Sequence, residues 1–218
     1  MLDQHPVATG PDRPARKQAA ILEAATKVFL DNGFLGTSMD AIARAAEVSK
    51  QTVYQHFGDK ERLFVAMVRA AVDTVADPVS AEIEQLGSEG DLAADLNELA
   101  VRQLTAVLQP RVLALRRLVI AEAFRFPELG QAFFDQGPGR TMNGLAARFA
   151  ELAREGRLHL DDPPAAASEF NWLVMAAPIN EAMLLGRTTF PAADLAVIAD
   201  RAVATFMRAY GRSRHTDR

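Results

Sequence analysis

Between Lys50 and His56 the chain reads KQTVYQH, which puts Lys50, Gln51, Thr52, Tyr54, Gln55 and His56 into one short run. These side chains suit hydrogen-bond recognition better than covalent chemistry. An ammonium pairs well with the acceptors of guanine and a glutamine amide with the edge of adenine, while hydroxyls reach backbone phosphate oxygens. Only Val53 and Phe57 look obliged to face inward, and Gly58 ends the run. A helix barely two turns long is not stable alone, because nucleation is costly. Its companions must hold it, leaving an outer polar face on a rod about 10–12 Å wide, which fits the major groove of DNA.

The elements that would position this face lie on either side of it. Thr37 and Asp40 have capping-box spacing, and Met39, Ile42, Ala43 and Ala46 follow at helical intervals. Glu47-Val48-Ser49 makes a turn, with Val48 as its apolar plug and Ser49 as an N-cap, and Asp59 caps a further helix opening Lys60-Glu61-Arg62. The pattern is a helix-turn-helix in which the second helix reads bases. Before it, a helix from about Arg16 to Asp31 carries Ile21, Ala24, Ala25, Val28 and Phe29 on one stripe, and Asn32-Gly33 stops it.

Thr37-Ser38-Met39, Ile42-Ala43, Val48-Ser49, Thr52-Val53-Tyr54-x-His56-Phe57 and Asp59-Lys60-Glu61-x-Leu63 together resemble the DNA-binding domain of TetR/AcrR-type transcriptional regulators, over roughly residues 16–65. The resemblance implies phosphate contacts from Ser38, Thr52, Tyr54 and Lys60. It implies base-facing roles for Lys50, Gln51 and Gln55, with His56 at the edge of the groove. Two roles stay open: Tyr54 as a hydrophobic plug with an exposed hydroxyl, and His56 as a structural hydrogen-bonding group. Asp40 sits where an acid would repel phosphate, so the expectation is that it serves a helix N-terminus. Arg13, Arg16 and Lys17 are either a solvated helix start or a basic arm.

Charge is read locally. The net charge is −4, but residues 13–62 hold eight Lys/Arg against six Asp/Glu, giving +2 there and −6 elsewhere. So mild a basic balance calls for a dimer to double the phosphate contacts. The 218 residues, 49% apolar, can bury a real core, and no uncharged apolar run is long enough for a membrane span. Zero cysteines exclude disulfides and thiolate metal sites and fit a reducing cytoplasm. Together with the absence of a signal peptide, this gives the expectation of a soluble, cytoplasmic protein.

The expected organisation is a disordered arm over 1–12, a helix-turn-helix domain over 13–62, a helical domain over 63–211 and a tail over 212–218. No β alternation of useful length appears, so the chain reads as all-α with about nine helices. In the second domain helices are expected from Asp91 to Pro110, Arg111 to Phe124, Thr141 to Arg154, Asp161 to Leu185 and Pro191 to Tyr210. Gly137-Pro138-Gly139 should break the chain. The helix over 165–185 is apolar nearly all round and the one over 192–210 is near-heptad, which suits a homodimer packed as a four-helix bundle, as the resemblance also implies.

Many large apolar residues of this domain are core. An aromatic- and methionine-rich interior also suits an apolar pocket. By resemblance such a domain binds a small molecule that tilts the fourth helix; the candidate contacts are Phe124, Met142, Phe149, Trp172 and Met175. Arg117, Asn143, Asn171 and Asn180 are the polar groups that could orient it. The segment Leu115–Leu129, with Phe133 and Gly137-Pro138, resembles a C-terminal domain common in the same family.

Enzyme chemistry fails on inventory. The four histidines are His5, His56, His159 and His215, and none has a metal-binding companion; no Glu-x-x-His pair, H-E-x-x-H, G-x-S-x-G or Walker loop occurs. No cofactor and no metal are expected. The reading is a DNA-binding regulator released from a palindromic operator by a small, largely apolar ligand. Two alternatives remain: a helical small-molecule-binding or interaction protein with a degenerate DNA-binding head, and an all-α enzyme using the second domain.

Overall fold

The computed structural model describes residues 13–88 and 90–211. Its helices are α1 (Arg13–Gly36), α2 (Met39–Ala45), α3 (Lys50–Phe57), α4 (Lys60–Gln85), α5 (Leu92–Val107), α6 (Pro110–Ala123), α7 (Pro127–Phe134), α8 (Arg140–Arg154), α9 (Pro163–Leu185) and α10 (Ala192–Tyr210). A single π-helical turn, Asp135–Gly139, joins α7 to α8, so the described residues form nine continuous helical runs and no strand. The expected arm over 1–12 and tail over 212–218, with His5 and His215, lie outside the described residues, as does the side chain of Arg13.

The chain divides into two compact units, Met1–Ala70 and Ala71–Arg218, with the division inside α4. It falls later than the 62/63 boundary read from the sequence because the first turns of α4 pack into the N-terminal unit. Leu63, Phe64, Met67 and Val68 are all buried there. The Phe64 ring meets Phe29 edge-on at 4.9 Å and Phe34 edge-on at 5.3 Å, while Phe29 and Phe34 stack at 5.8 Å. Three mutually packed rings, each contributing roughly 1.5–3 kcal/mol by burial, anchor helices too short to persist alone.

Local sequence explains most of the helix ends here. Gly33 adopts φ 72, ψ 173 and breaks α1 at the expected Asn32-Gly33 stop. The cap of α2 differs from the expected one by one residue. Ser38, not Thr37, takes the extended N-cap conformation and accepts a hydrogen bond from the Ala41 N–H at 3.1 Å. Thr37 is buried, and its hydroxyl donates to the Gly33 carbonyl at 2.7 Å, tying α2 back onto the end of α1. The turn after α2 forces Glu47 to φ 54, the only non-glycine residue in the left-handed region among the described residues.

In the second unit α5, α8, α9 and α10 close around a core that includes Phe149, Phe170 and Phe206, with Phe149–Phe206 at 5.0 Å and Phe170–Phe206 at 5.2 Å. Arg140 of α8 pairs with Asp77 of α4 at 2.7 Å, and Arg187 bridges Glu181 at 2.6 Å and Asp194 at 3.2 Å across the α9–α10 connection. Gly137-Pro138-Gly139 does not break the chain as expected. The wider π turn absorbs the proline's missing N–H and the helix continues. Gly139 is needed there, since a Cβ would lie 2.9 Å from the Phe134 carbonyl oxygen. The helices over Asp161–Leu185 and Pro191–Tyr210 form close to the expected bounds, and α9 and α4 run on through Pro178 and Pro78.

Candidate nucleic-acid interface

The eight residues of α3 are held at both ends. Ser49 is the N-cap and accepts from the Thr52 N–H at 3.1 Å, and Gly58, at φ 80, stops the helix with its N–H on the Tyr54 carbonyl at 2.8 Å. Val48 closes the preceding turn by donating its N–H to the Ala43 carbonyl at 3.0 Å. Only Val53 and Phe57 of α3 are buried, as the spacing predicts. Lys50, Gln51, Tyr54, Gln55 and His56 are exposed and Thr52 is half-buried, so one helix face carries an unbroken set of hydrogen-bonding groups.

Tyr54 keeps 43% of its surface exposed. Its ring lies 5.9 Å from the Lys50 ammonium. The Thr52 hydroxyl is 2.8 Å from that of Ser49, which positions it at the rim of the turn. Ser38 is exposed at the start of α2, where its oxygen caps the helix and its hydroxyl hydrogen can still be donated outward. His56 is exposed with its ring 6.1 Å from that of Phe57.

Asp40 lies in the first turn of α2, where an acid was expected to serve the helix N-terminus, and it also faces Lys50, whose Nζ lies 2.8 Å from one carboxylate oxygen and 3.1 Å from the other. That hydrogen bond, reinforced by the opposite charge, pushes the Lys50 pKa up and keeps the ammonium charged. Lys60, expected to hold phosphate, turns inward. Its ammonium donates to the Phe34 carbonyl at 3.0 Å and the Thr37 carbonyl at 3.1 Å, and sits 4.5 Å from the centre of the Phe34 ring. With two of its three donors committed to the Phe34 and Thr37 carbonyls, Lys60 ties the start of α4 to the α1–α2 connection.

The five expected ligand contacts of the second unit do not share one lining. Phe149 and Met175 are buried in the core and Met142 is half-buried on α8. Phe124, at the C-cap of α6, is fully exposed, and Trp172 projects outward from α9. A helix apolar on all sides, such as α9, gives no periodic signal of which residues turn inward. Of the expected polar groups, Arg117 donates to the Ala182 carbonyl at 2.8 Å and Asn180 to the Ala176 carbonyl at 2.7 Å, while Asn143 is exposed.

Asn171 is buried and accepts from Gln103 at 2.9 Å, while the Gln103 amide oxygen is enclosed without a partner. The sequence reading missed Gln103, although it follows Leu92, Leu96 and Leu99 on the inward stripe of α5. It also missed Arg116, whose guanidinium lies 5.1 Å from the Phe133 ring and whose pKa is lowered by burial. Among the described residues no group of three or more His, Asp or Glu could hold a metal ion, and no helix is long and apolar enough to cross a membrane.

Comparison with known proteins agrees with this geometry. Residues 21–67 match the family model for bacterial regulatory proteins of the tetR family, and residues 94–212 match that for the C-terminal domain of AefR-like transcriptional repressors. A solved structure of a TetR-family transcriptional regulator from Mesorhizobium loti is 38% identical, with TM-score 0.86, over 92% of this chain and 100% of that one. The flavonoid-responsive regulator FrrA is 30% identical, with TM-score 0.75, over 91% of this chain and 99% of that one. The transcriptional repressor AcnR of Corynebacterium efficiens is 38% identical over 74 residues, which span 34% of this chain and 39% of AcnR. With both halves matched and a relative aligned along nearly its whole length, the chain belongs to the TetR family of DNA-binding transcriptional regulators, which are not enzymes.

Proposed function

We propose that this regulator is a homodimeric, cytoplasmic repressor that binds a pseudo-palindromic operator and is released from it by a small, largely apolar ligand. The observation that carries the DNA-reading half is the polar outer face of α3, buried only at Val53 and Phe57. In this reading Lys50, Gln51 and Gln55 meet base edges and His56 the rim of the groove. Ser38, Thr52 and Tyr54 hold phosphates. The acidic balance of the whole chain is no obstacle, because two copies of a mildly basic head double the phosphate contacts.

Dimerisation through α9 and α10 is supported by what those helices leave outside. Leu173, Ala177, Asn180 and Leu184 are exposed at spacings of one turn along α9, flanked by Trp172 and Leu185, and Val197 is exposed on α10. A largely apolar stripe of this kind on a helix surface, interrupted only by Asn180, marks an interaction face. Leu173→Asp/Leu184→Asp should give a monomer by sedimentation equilibrium; a dimer that survives both acids means the contact lies elsewhere.

Release by a ligand is supported by the family and by α4, one continuous helix that contributes residues to both units. FrrA makes flavonoids the first class to screen. Coupling must be reciprocal: a ligand that weakens operator binding is itself bound more weakly by the operator complex.

The test is selection of bound fragments from a genomic DNA library at two salt concentrations, beside a Tyr54→Phe/Lys50→Ala variant. One palindromic motif is expected, lost in the variant and weakened steeply by salt. With about 6–10 phosphate contacts the affinity should drop roughly 10³–10⁵-fold between about 50 and 200 mM salt. Motif-free binding that ignores both substitutions would overturn the reading and leave a helical ligand-binding protein with a degenerate head.

A further inference from the structure

Asp40 is the second residue of α2 and Lys50 the first of α3, and the turn between the helices sets them side by side. The ammonium is 2.8 Å from one carboxylate oxygen and 3.1 Å from the other, yet the two side chains stay 58% (Lys50) and 49% (Asp40) exposed. The carboxylate oxygen nearer the ammonium is enclosed and has no hydrogen bond of its own, the other accepting from Lys50. The N-terminal residues of a recognition helix are the ones that meet base edges. An acid at this place appears wasteful only if Lys50 is read by itself.

A lone lysine is a poor discriminator. Its three donors accept any phosphate or any base acceptor. A carboxylate beside it cancels the pull towards phosphate and adds an acceptor about 3 Å from the donor. The major-groove edge of a G·C pair offers the complement: guanine O6, an acceptor, lies beside cytosine N4–H₂, a donor, at the roughly 3 Å spacing of hydrogen-bonded partners. The ammonium would donate to guanine O6 and N7 while the cytosine amino group donates to Asp40. A T·A pair repeats the order, thymine O4 beside adenine N6–H₂, but there the ammonium loses its second acceptor, because the thymine methyl stands on the side where guanine has N7, and the carboxylate on adenine N6 lies against the adenine N7 lone pair.

We propose that Asp40 and Lys50 act as one unit that reads a single G·C base pair in each operator half-site, Asp40 being a specificity-determining residue. The proposal rests on the reading that α3 enters the major groove.

The experiment is selection from a pool of random duplex DNA with the full-length protein, comparing wild type with Asp40→Ala, Asp40→Asn and Lys50→Ala, each checked for folding by circular dichroism. In the wild-type motif one G·C position per half-site should depend on the pair. Asp40→Ala should relax preference at that position roughly 5- to 100-fold, leave the other positions unchanged and raise motif-free binding. Lys50→Ala should relax the same position, and Asp40→Asn, which keeps one acceptor, should relax it less. If Asp40→Ala selects the wild-type motif with undiminished preference, or if the Asp40 and Lys50 variants relax different positions, the proposal is overturned while the DNA-reading function stands. A wild-type protein that selects no motif overturns both.

Discussion

The N-terminal unit and the second unit bury apolar surface by opposite means. In the first, short helices turn a few large residues inward, with Phe29, Phe34, Phe64, Val53 and Ile42 all fully buried, and α3 leaves its polar residues at the surface. In the second, α9 is apolar on every side, and its burial is decided by neighbours: Val174 and Met175 face the core, while Trp172 and Leu173 face out. The polar residues follow the same contrast. Those of α3 are outside and individually readable, whereas Gln103 and Asn171 are enclosed between α5 and α9 and find each other. A functional face built on amphipathic helices can be located from periodicity, and an interior site cannot.

This contrast can be broken at graded cost. Phe64→Ala should be the most damaging substitution in the N-terminal unit, losing about 3–5 kcal/mol in urea unfolding and abolishing DNA binding. An equal loss of binding with unchanged stability would show that the three-ring cluster is not what holds the reading head. Lys60→Met separates a clamp from a phosphate contact. Removing two charge-assisted bonds to Phe34 and Thr37 should cost about 2–3 kcal/mol, seen as a lower urea midpoint. An unchanged midpoint with a shallower salt dependence of DNA binding would return Lys60 to the phosphates.

In the second unit the single changes Gln103→Leu and Asn171→Leu should each cost about 1–3 kcal/mol, because each strands a buried amide. The double change should recover most of it. Additive losses in this cycle would mean the two amides are not partners. Glu47→Gly should be stabilising by about 1 kcal/mol, since glycine accepts the left-handed conformation that a Cβ opposes; a destabilised variant would mean that Glu47 contributes more through its side chain than it loses in strain. The smallest effect is expected at Phe124→Ala, within about 0.5 kcal/mol for a residue with no burial. A loss of several kcal/mol in the assembled protein would place Phe124 in a subunit contact.

The Asp40–Lys50 pair sharpens the comparison from the other side. Two exposed charges add little to stability, so Asp40→Ala should leave the melting temperature unmoved while changing which DNA is bound. On the proposed reading, stability and recognition in the N-terminal unit would be carried by different residues.

The sequence by itself determined the helices, the turn and the outward face of α3. Capping residues, glycine stops and the spacing of apolar residues are local properties, and Ser49, Gly58, Val53 and Phe57 do what their spacing predicts. It also located the reading head closely enough to name the family resemblance. Tertiary structure alone decided where the long charged side chains go, because Lys60 and Lys50 look equally free in the sequence. One meets the Phe34 and Thr37 backbone carbonyls and the other an acid ten residues away. It likewise decided the pairing of Gln103 with Asn171, the outward face of α9 and the π turn at Asp135–Gly139. Each of these depends on which atoms arrive from distant parts of the chain, and periodicity carries no record of them.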